Sequence, residues 1–392
     1  MNWIIDPLIE LEGYNKILKS LKDGVAKVSV IGPSDSQKAH FAFAVASHLG
    51  LKGMFITYNE IQARRFYEDF LFFCGDDALL FPTKEILYHD VEAKSNDAIF
   101  QRIAVLDKIL EDKYGFVVAS IEAVSHKLPS RRFFTDNVLF FKTGDSVNLE
   151  KLIEKLMDMG YERTDIVEGK GQFAVRGGII DVFPVDGEEP ARIELFGEEI
   201  DSIRVFDFLT QRSIDNLGKL KVLPAREVIC PANKIKETVN KIKEDLDNYT
   251  GNLVKKKDPE FIIRLRENIE RDIERFESNP HFPGIDRNIS YIPGIRGHLF
   301  DYIGKNLVVF LDETPRIGQR MENLLLEHHE VCKELLEKAR ILPSNIEIYH
   351  GENGKCAYQR HSFRGLRTRL KIRHGCKLQH IMQTAAFIPR VY

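Results

Sequence analysis

Val30–His40 reads VIGPSDSQKAH, and how this stretch folds decides the architecture of the first part of the chain. An apolar run, VAKVSVIG (Val25–Gly32), leads into it, and KAHFAFAVASHLG (Lys38–Gly50) leads out with a helical period. Strand, turn and helix in that order make the setting of a phosphate-binding loop, whose pattern is Gly, four residues, then Gly-Lys-Ser/Thr. Gly32 and Lys38 are in register with that pattern, but Gln37 stands at the second Gly and Ala39 at the hydroxyl residue. In a working loop the second Gly lets backbone N–H groups wrap a phosphate, and the hydroxyl holds Mg²⁺. Gln37 carries a Cβ that resists the positive-φ cradle, and Ala39 offers no metal ligand. Lys38 alone keeps charge for a phosphate. These residues fit a plain strand–turn–helix join, with Ser34 or Ser36 capping the helix, better than an ATP site.

A second stretch belongs to the same architecture. LVVFLDETP (Leu307–Pro315) is an apolar strand ending in Asp312 and Glu313. In nucleotide motors such a strand ends in Asp-Glu, where the Asp orients Mg²⁺ and the Glu polarises the attacking water. Alone the pair is a common surface feature; beside the altered loop it reads as a remnant of a nucleotide-binding fold. Between the two, residues 24–125 alternate short apolar runs (GMFITYN, ALLFP, YGFVVASIEAV) with helical periods. In one period Ile99, Ile103, Leu106 and Leu110 share a face. Strands alternating with helices predict an α/β domain with a parallel sheet covered on both faces.

The middle of the chain changes character. After the amphipathic NLEKLIEKLMDMGY, the segments QFAVRGGIIDVFPV, ARIELFGEEIDSIRVFD and LKVLPAREV are β-rich, with turn residues between them. In ARIELF, Ile193 and Leu195 alternate with Arg192, Glu194 and Phe196, so one face is apolar and the other carries charge and an aromatic. A small α+β domain is expected over 137–223, inserted between two parts of the α/β domain at 1–136 and 224–345. Within the second part, the stripe Ile235, Val239, Ile242, Leu246 and the stripe Ile262, Leu265, Ile269, Ile273, Phe276 predict a helical hairpin over about 233–278. A helix from Arg316 to Arg340 follows the Leu307 strand.

Composition bounds the rest. The 392 residues carry a net charge of −3, so the chain as a whole is no polyanion binder. No apolar run reaches membrane-spanning length and the start lacks a signal-peptide pattern, so no membrane partner is expected. Five well-separated cysteines fit a reducing, cytoplasmic compartment. The last forty residues, Asn353–Tyr392, hold nine Lys/Arg and no Asp/Glu. Cys356, His361, Cys376 and His380 lack zinc-finger spacing, so no metal is expected there. Nonspecific nucleic-acid binding is a reading of the basic tail 346–392, against that of a poorly ordered end.

Within the β-rich segment no catalytic constellation is visible, and Arg176, Arg192 and Phe196 are the residues of interface type. By residue type alone they divide between a contact surface and two solvated arginines beside a core Phe. The segment resembles the interaction domain shared by bacterial transcription-repair coupling factors and the excision-repair helicase UvrB. FAVRGGIIDVFP, RIELFGEEIDSIRVFD and TQRS carry the resemblance, which is closer to the coupling factors. It extends to FPTKEILYHDVEAKSNDAIFQRIAVL and HLFDYIGKNLVVFLDETPRI and covers about residues 1–345.

The resemblance implies a degenerate, RecA-like or UvrB-like P-loop fold that has lost its ATP chemistry, with no cofactor of its own. It implies a β-rich domain that binds the damage-sensing ATPase UvrA through the Arg of the VRGG strand, the Arg of the RIE strand and the aromatic after it: Arg176, Arg192 and Phe196. The expectation is a non-catalytic adaptor in nucleotide excision repair. RNA polymerase, double-stranded DNA and ATP belong, in that family, to further domains. The family pattern stops near Ile346, and the acid-free ending is what a truncated or frame-shifted gene would encode. The rival expectation is an active UvrB-like ATPase acting on damaged DNA.

Overall fold

The computed structural model describes residues 3–24, 28–85, 95–253, 259–278, 284–304, 306–346 and 348–349. The basic tail, with Cys356, His361, Cys376 and His380, lies outside the described residues. Among those described, no helix is long and apolar enough to cross a membrane.

The first part runs α1 (Glu12–Lys22), α2 (Asp35–Leu49), β1 (Lys52–Thr57), α3 (Glu60–Cys74), β2 (Ala78–Phe81), α4 (Asp97–Leu110), β3 (Phe116–Ser120), α5 (Ile121–Ser125) and α6 (Arg131–Thr135). The middle comprises β4 (Leu139–Lys142), α7 (Leu149–Asp158), β5 (Glu162–Arg163), β6 (Gln172–Arg176), β7 (Ile179–Val182), β8 (Ala191–Phe196), β9 (Glu199–Phe206), β10 (Ser213–Asn216) and β11 (Lys219–Val222). Then follow α8 (Ala232–Leu253), α9 (Pro259–Ser278), α10 (Leu299–Tyr302), β12 (Leu307–Leu311) and α11 (Thr314–Glu337).

The α/β expectation is met by a parallel four-stranded sheet in the order β12-β1-β3-β2. Its last strand in sequence, β12, pairs with its first, β1, so everything between β3 and β12 is an insertion in the sheet. On one face α2 and α3 bury Ala39, Phe66 and Phe70 against Phe55, Phe116 and Val118. On the other, Ile103 and Leu106 of α4 pack on Met54, Ile56 and Val117. That same apolar cluster continues into the inner face of the middle sheet through Phe173, Ile180, Ile193 and Ile203.

Among the described residues, one expected strand is absent. Val28–Gly32 forms no ladder, Ile31 is 65% exposed, and β12 is left at the sheet edge. Apolar alternation favours an extended chain, but only cross-strand pairing makes it a strand. Residues 25–27, the rest of the run, lie outside the described set.

The middle sheet has six strands in the order β10-β9-β8-β7-β6-β5, antiparallel from β10 to β6, with β5 and β6 parallel. β4 and β11 form a separate antiparallel ribbon. The α8–α9 hairpin appears where the two stripes place it, with Val239, Ile242 and Leu246 buried against Leu265, Ile269 and Phe276.

Gly53 in β1 shows how tightly the parallel sheet is packed. A Cβ there would lie 2.1 Å from the Phe116 ring, which is itself stacked on Phe70 at 4.3 Å between centroids. Phe116 cannot give way without displacing Phe70. Gly53→Ala is therefore expected to destabilise the protein by about 1–3 kcal/mol, although Ala is the better strand former by entropy. A urea unfolding curve with an unchanged midpoint would show that this face repacks freely.

Candidate functional site

Charged side chains gather at two places: the C-terminal end of the parallel strands, where ligands bind in α/β sheets, and the outer face of the middle sheet.

At the first, α2 begins at Asp35, so Asp35, Ser36, Gln37 and Lys38 are already helical rather than wrapped as a loop. Gln37 sits at the third helical position, and its Oε1 accepts the Ser34 N–H at 2.9 Å, capping the helix. Gly32 takes the positive φ of +119° that turns the chain, but no second positive-φ residue follows before the helix. Ala39 is fully buried among the aromatics of α3 and the sheet, so this position faces core.

Lys38 spans from the helix to the strand end. Its Nζ lies 2.6 Å from Asp312 Oδ1, 2.8 Å from Asp35 Oδ1 and 3.7 Å from Glu313 Oε1. Asp312 continues the ladder past β12, its N–H donating to the Ile56 carbonyl at 2.9 Å. Burial pushes the Asp312 carboxyl up, with Lys38 opposing. Burial lowers the Lys38 ammonium, but its bonds to Asp312 and Asp35 raise it overall. Glu313, in the left-handed region at φ 52°, pairs with Arg316 at 2.9 Å. The structure thus brings Lys38, Asp312 and Glu313 together as the sequence reading expects, but with the lysine's charge already taken by carboxylates.

At the second place, the alternation read from ARIELF is realised. Ile193 is buried and Leu195 packs inward on the main core, while Arg192, Glu194 and Phe196 face outward. Phe196 is 84% exposed, the most exposed of the large apolar side chains described. Arg176 and Arg192 converge on one carboxylate that sequence reasoning passed over. Arg192 Nε and Nη2 donate to Asp181 Oδ1 and Oδ2 at 2.7 and 2.9 Å. Arg176 Nη2 donates to Oδ2 at 2.8 Å. Asp181 is 1% exposed, Arg192 16% and Arg176 50% by side chain, so the pair covers the acid and Arg176 reaches furthest into solvent. The Arg192 guanidinium also lies 4.6 Å from the Phe206 ring centroid.

A signal for Asp181 does exist in the sequence. Gly177-Gly178 is a two-residue hairpin turn, Gly177 with φ +60°, which pairs Arg176 with Ile179 and Ala174 with Asp181. Asp181 then lies diagonal to Arg176 on the same face, within reach of a long side chain. Its pairing with Arg192 depends on the β7–β8 register, which no tight turn announces. The next charges on this face, Glu194 and Arg204, are 3.5 Å apart across β8 and β9.

This face lies in a segment that resembles a known domain family. Residues 139–228 match the family model described as the UvrB interaction domain. The chain is 31% identical over 334 residues to the transcription-repair-coupling factor of Bacillus subtilis (strain 168), covering 85% of this chain and 28% of that protein. With the transcription-repair-coupling factor of Staphylococcus aureus (strain bovine RF122 / ET3-1) it shares 30% identity over 316 residues, 80% of this chain and 26% of that one. The chain spans a little over a quarter of the length of these curated relatives.

Proposed function

For a chain that carries a UvrB interaction domain within a stretch homologous to bacterial transcription-repair-coupling factors, we propose a non-catalytic adaptor role: recruitment of UvrA in transcription-coupled nucleotide excision repair. The observation that carries this reading is the outer face of the middle sheet. There an exposed aromatic, Phe196, shares the face with two arginines held by one buried acid. Aromatic and Arg side chains dominate interface energetics because they bury large area and make fixed, forked hydrogen bonds. Arg176 and Phe196 would meet acidic and apolar surface on UvrA, with Arg192 as the mostly covered floor of the contact. RNA polymerase and double-stranded DNA, which the resemblance gives to other domains of the family, are assigned no surface by this reading.

In the same reading the parallel-sheet part is scaffold. A phosphate at Lys38 would have to displace Asp312 and Asp35 and would then face both, with Glu313 nearby. Like charges at 4 Å repel by about 4 kcal/mol at an effective dielectric of 20, so the site as built disfavours a triphosphate. The purified chain is expected to bind immobilised UvrA and to hydrolyse no ATP, with or without DNA. Lys38→Ala should leave UvrA binding intact but lower stability by about 1–3 kcal/mol, because Asp312 loses its cation in a buried position. Steady ATP turnover that Lys38→Ala abolishes would instead establish the rival reading, an active ATPase. The decisive binding variants, Arg176→Ala and Phe196→Ala, are taken up in the Discussion.

A further inference from the structure

We infer that Asp181 is a positioning residue for partner binding: it contacts no partner itself but locks Arg176 and Arg192 into one preformed basic fork. This rests on the reading of the outer sheet face as the UvrA surface and deepens it. Three donors from two side chains end on this single carboxylate, at 2.7, 2.9 and 2.8 Å. Arg192 uses its edge in the two-pronged geometry that matches guanidinium to carboxylate, which fixes the plane of the group as well as its place. Phe206 then closes one face of that plane at 4.6 Å. At 1% exposure Asp181 is beyond the reach of a partner.

The charge count on these three residues gives the cluster its direction. Two cations share one anion, so the trio keeps a net positive charge, presented by the half-exposed Arg176. A free arginine loses side-chain freedom when a partner immobilises it. Here two arginines are ordered beforehand by an acid that strand pairing holds in place, since Asp181 lies opposite Arg192 in the β7–β8 ladder. The carboxylate thus favours slow dissociation, while the net charge favours fast encounter.

Separating those two effects gives the test. Asp181→Asn keeps the shape, adds one unit of positive charge to the face and replaces one of the two acceptor oxygens by an amide N–H donor group. With UvrA immobilised and the full chain in solution, this variant should dissociate about tenfold faster or more, while association is unchanged or faster. In an Arg176→Ala/Arg192→Ala background, Asp181→Asn should have no further effect on the dissociation rate, since nothing remains to be positioned. A variant that binds in smaller amount but dissociates at the wild-type rate has lost folded molecules only, and overturns the inference. So does a wild-type dissociation rate in a preparation where Arg176→Ala dissociates faster. If Arg176→Ala and Phe196→Ala themselves bind like wild type, the UvrA reading has failed, and this inference with it. Should Asp181→Asn not fold, Asp181→Glu, which keeps the charge but shifts the carboxylate by one methylene, carries the same expectation: faster dissociation supports the positioning role and a wild-type rate rejects it.

Discussion

Arg176→Ala combined with Phe196→Ala is expected to weaken UvrA binding about 100- to 1,000-fold while leaving the fold intact. Phe196 offers a nearly bare ring to solvent, and burying a Phe side chain stabilises a complex by about 1.5–3 kcal/mol. Arg176 keeps half of its side chain in water and is already oriented by Asp181, so it brings charge to the contact with little further loss of freedom. Truncating a central aromatic or Arg anchor typically costs about 2 kcal/mol or more, and each 1.4 kcal/mol is a factor of ten. The two effects need not add, because both residues lie on one face and share one contact.

The variant should melt like the wild type. An exposed ring contributes little to the core, and Asp181 keeps its two-pronged bond from Arg192 when Arg176 is removed. Titration calorimetry against purified UvrA, with a melting curve on the same preparation, reads both quantities. A dissociation constant within about threefold of wild type would place the docking surface elsewhere.

Glu227→Gln is expected to have the largest effect on stability, about 3–5 kcal/mol. Glu227 is 3% exposed, accepts a hydrogen bond from Arg102 Nε at 2.6 Å on one oxygen and has the Lys84 ammonium 2.6 Å from the other as an ion pair. Arg102 is fully buried, lies 4.0 Å from the Phe81 ring centroid and also donates to the Pro82 carbonyl at 2.8 Å. Lys84 reaches on to Asp286 at 2.8 Å. The cluster therefore joins the segment after β2, the helix α4, the segment after β11 and the turn that follows α9. An amide at 227 fits the space but takes the carboxylate away from buried Arg102 and leaves Lys84 paired with Asp286. An exposed pair would lose less than 1 kcal/mol by the same change.

Acid should act on this cluster in the same direction. Burial raises the Glu227 carboxyl, but Arg102 and Lys84 outweigh it and hold the group below its ordinary value. A carboxyl lowered by folding stabilises fully above its ordinary value, and that contribution is lost as pH falls through the lower folded value. Wild type should thus lose stability in acid over a range where Glu227→Gln changes less. Parallel acid profiles for the two proteins would show the cluster to be unimportant.

Much of the fold was legible in short-range pattern. Period-two alternation in ARIELF assigns the faces of β8, and the three-and-four spacings in 235–246 and 262–276 assign the faces of the hairpin helices, because side-chain direction in regular structure is set locally. The loss of a Gly and a hydroxyl at Gln37 and Ala39 is likewise a statement about residue type, readable without coordinates. Val28–Gly32 was misread for the matching reason: alternation reports what a segment could bury, and whether a neighbouring strand accepts it is settled by the rest of the chain.

What only the tertiary structure decided is how the charges are spent. In the sequence Lys38 is a lysine in search of a phosphate; folded, it is tied to Asp312, 274 positions away. Asp181 is one acid among many until the β7–β8 register sets it under two arginines, and Glu227 is unremarkable until burial places it between Arg102 and Lys84. Alternation and helical period are properties of neighbours along the chain. The strength of an ion pair depends on distance and on water excluded around it, and both are fixed only when remote segments pack together.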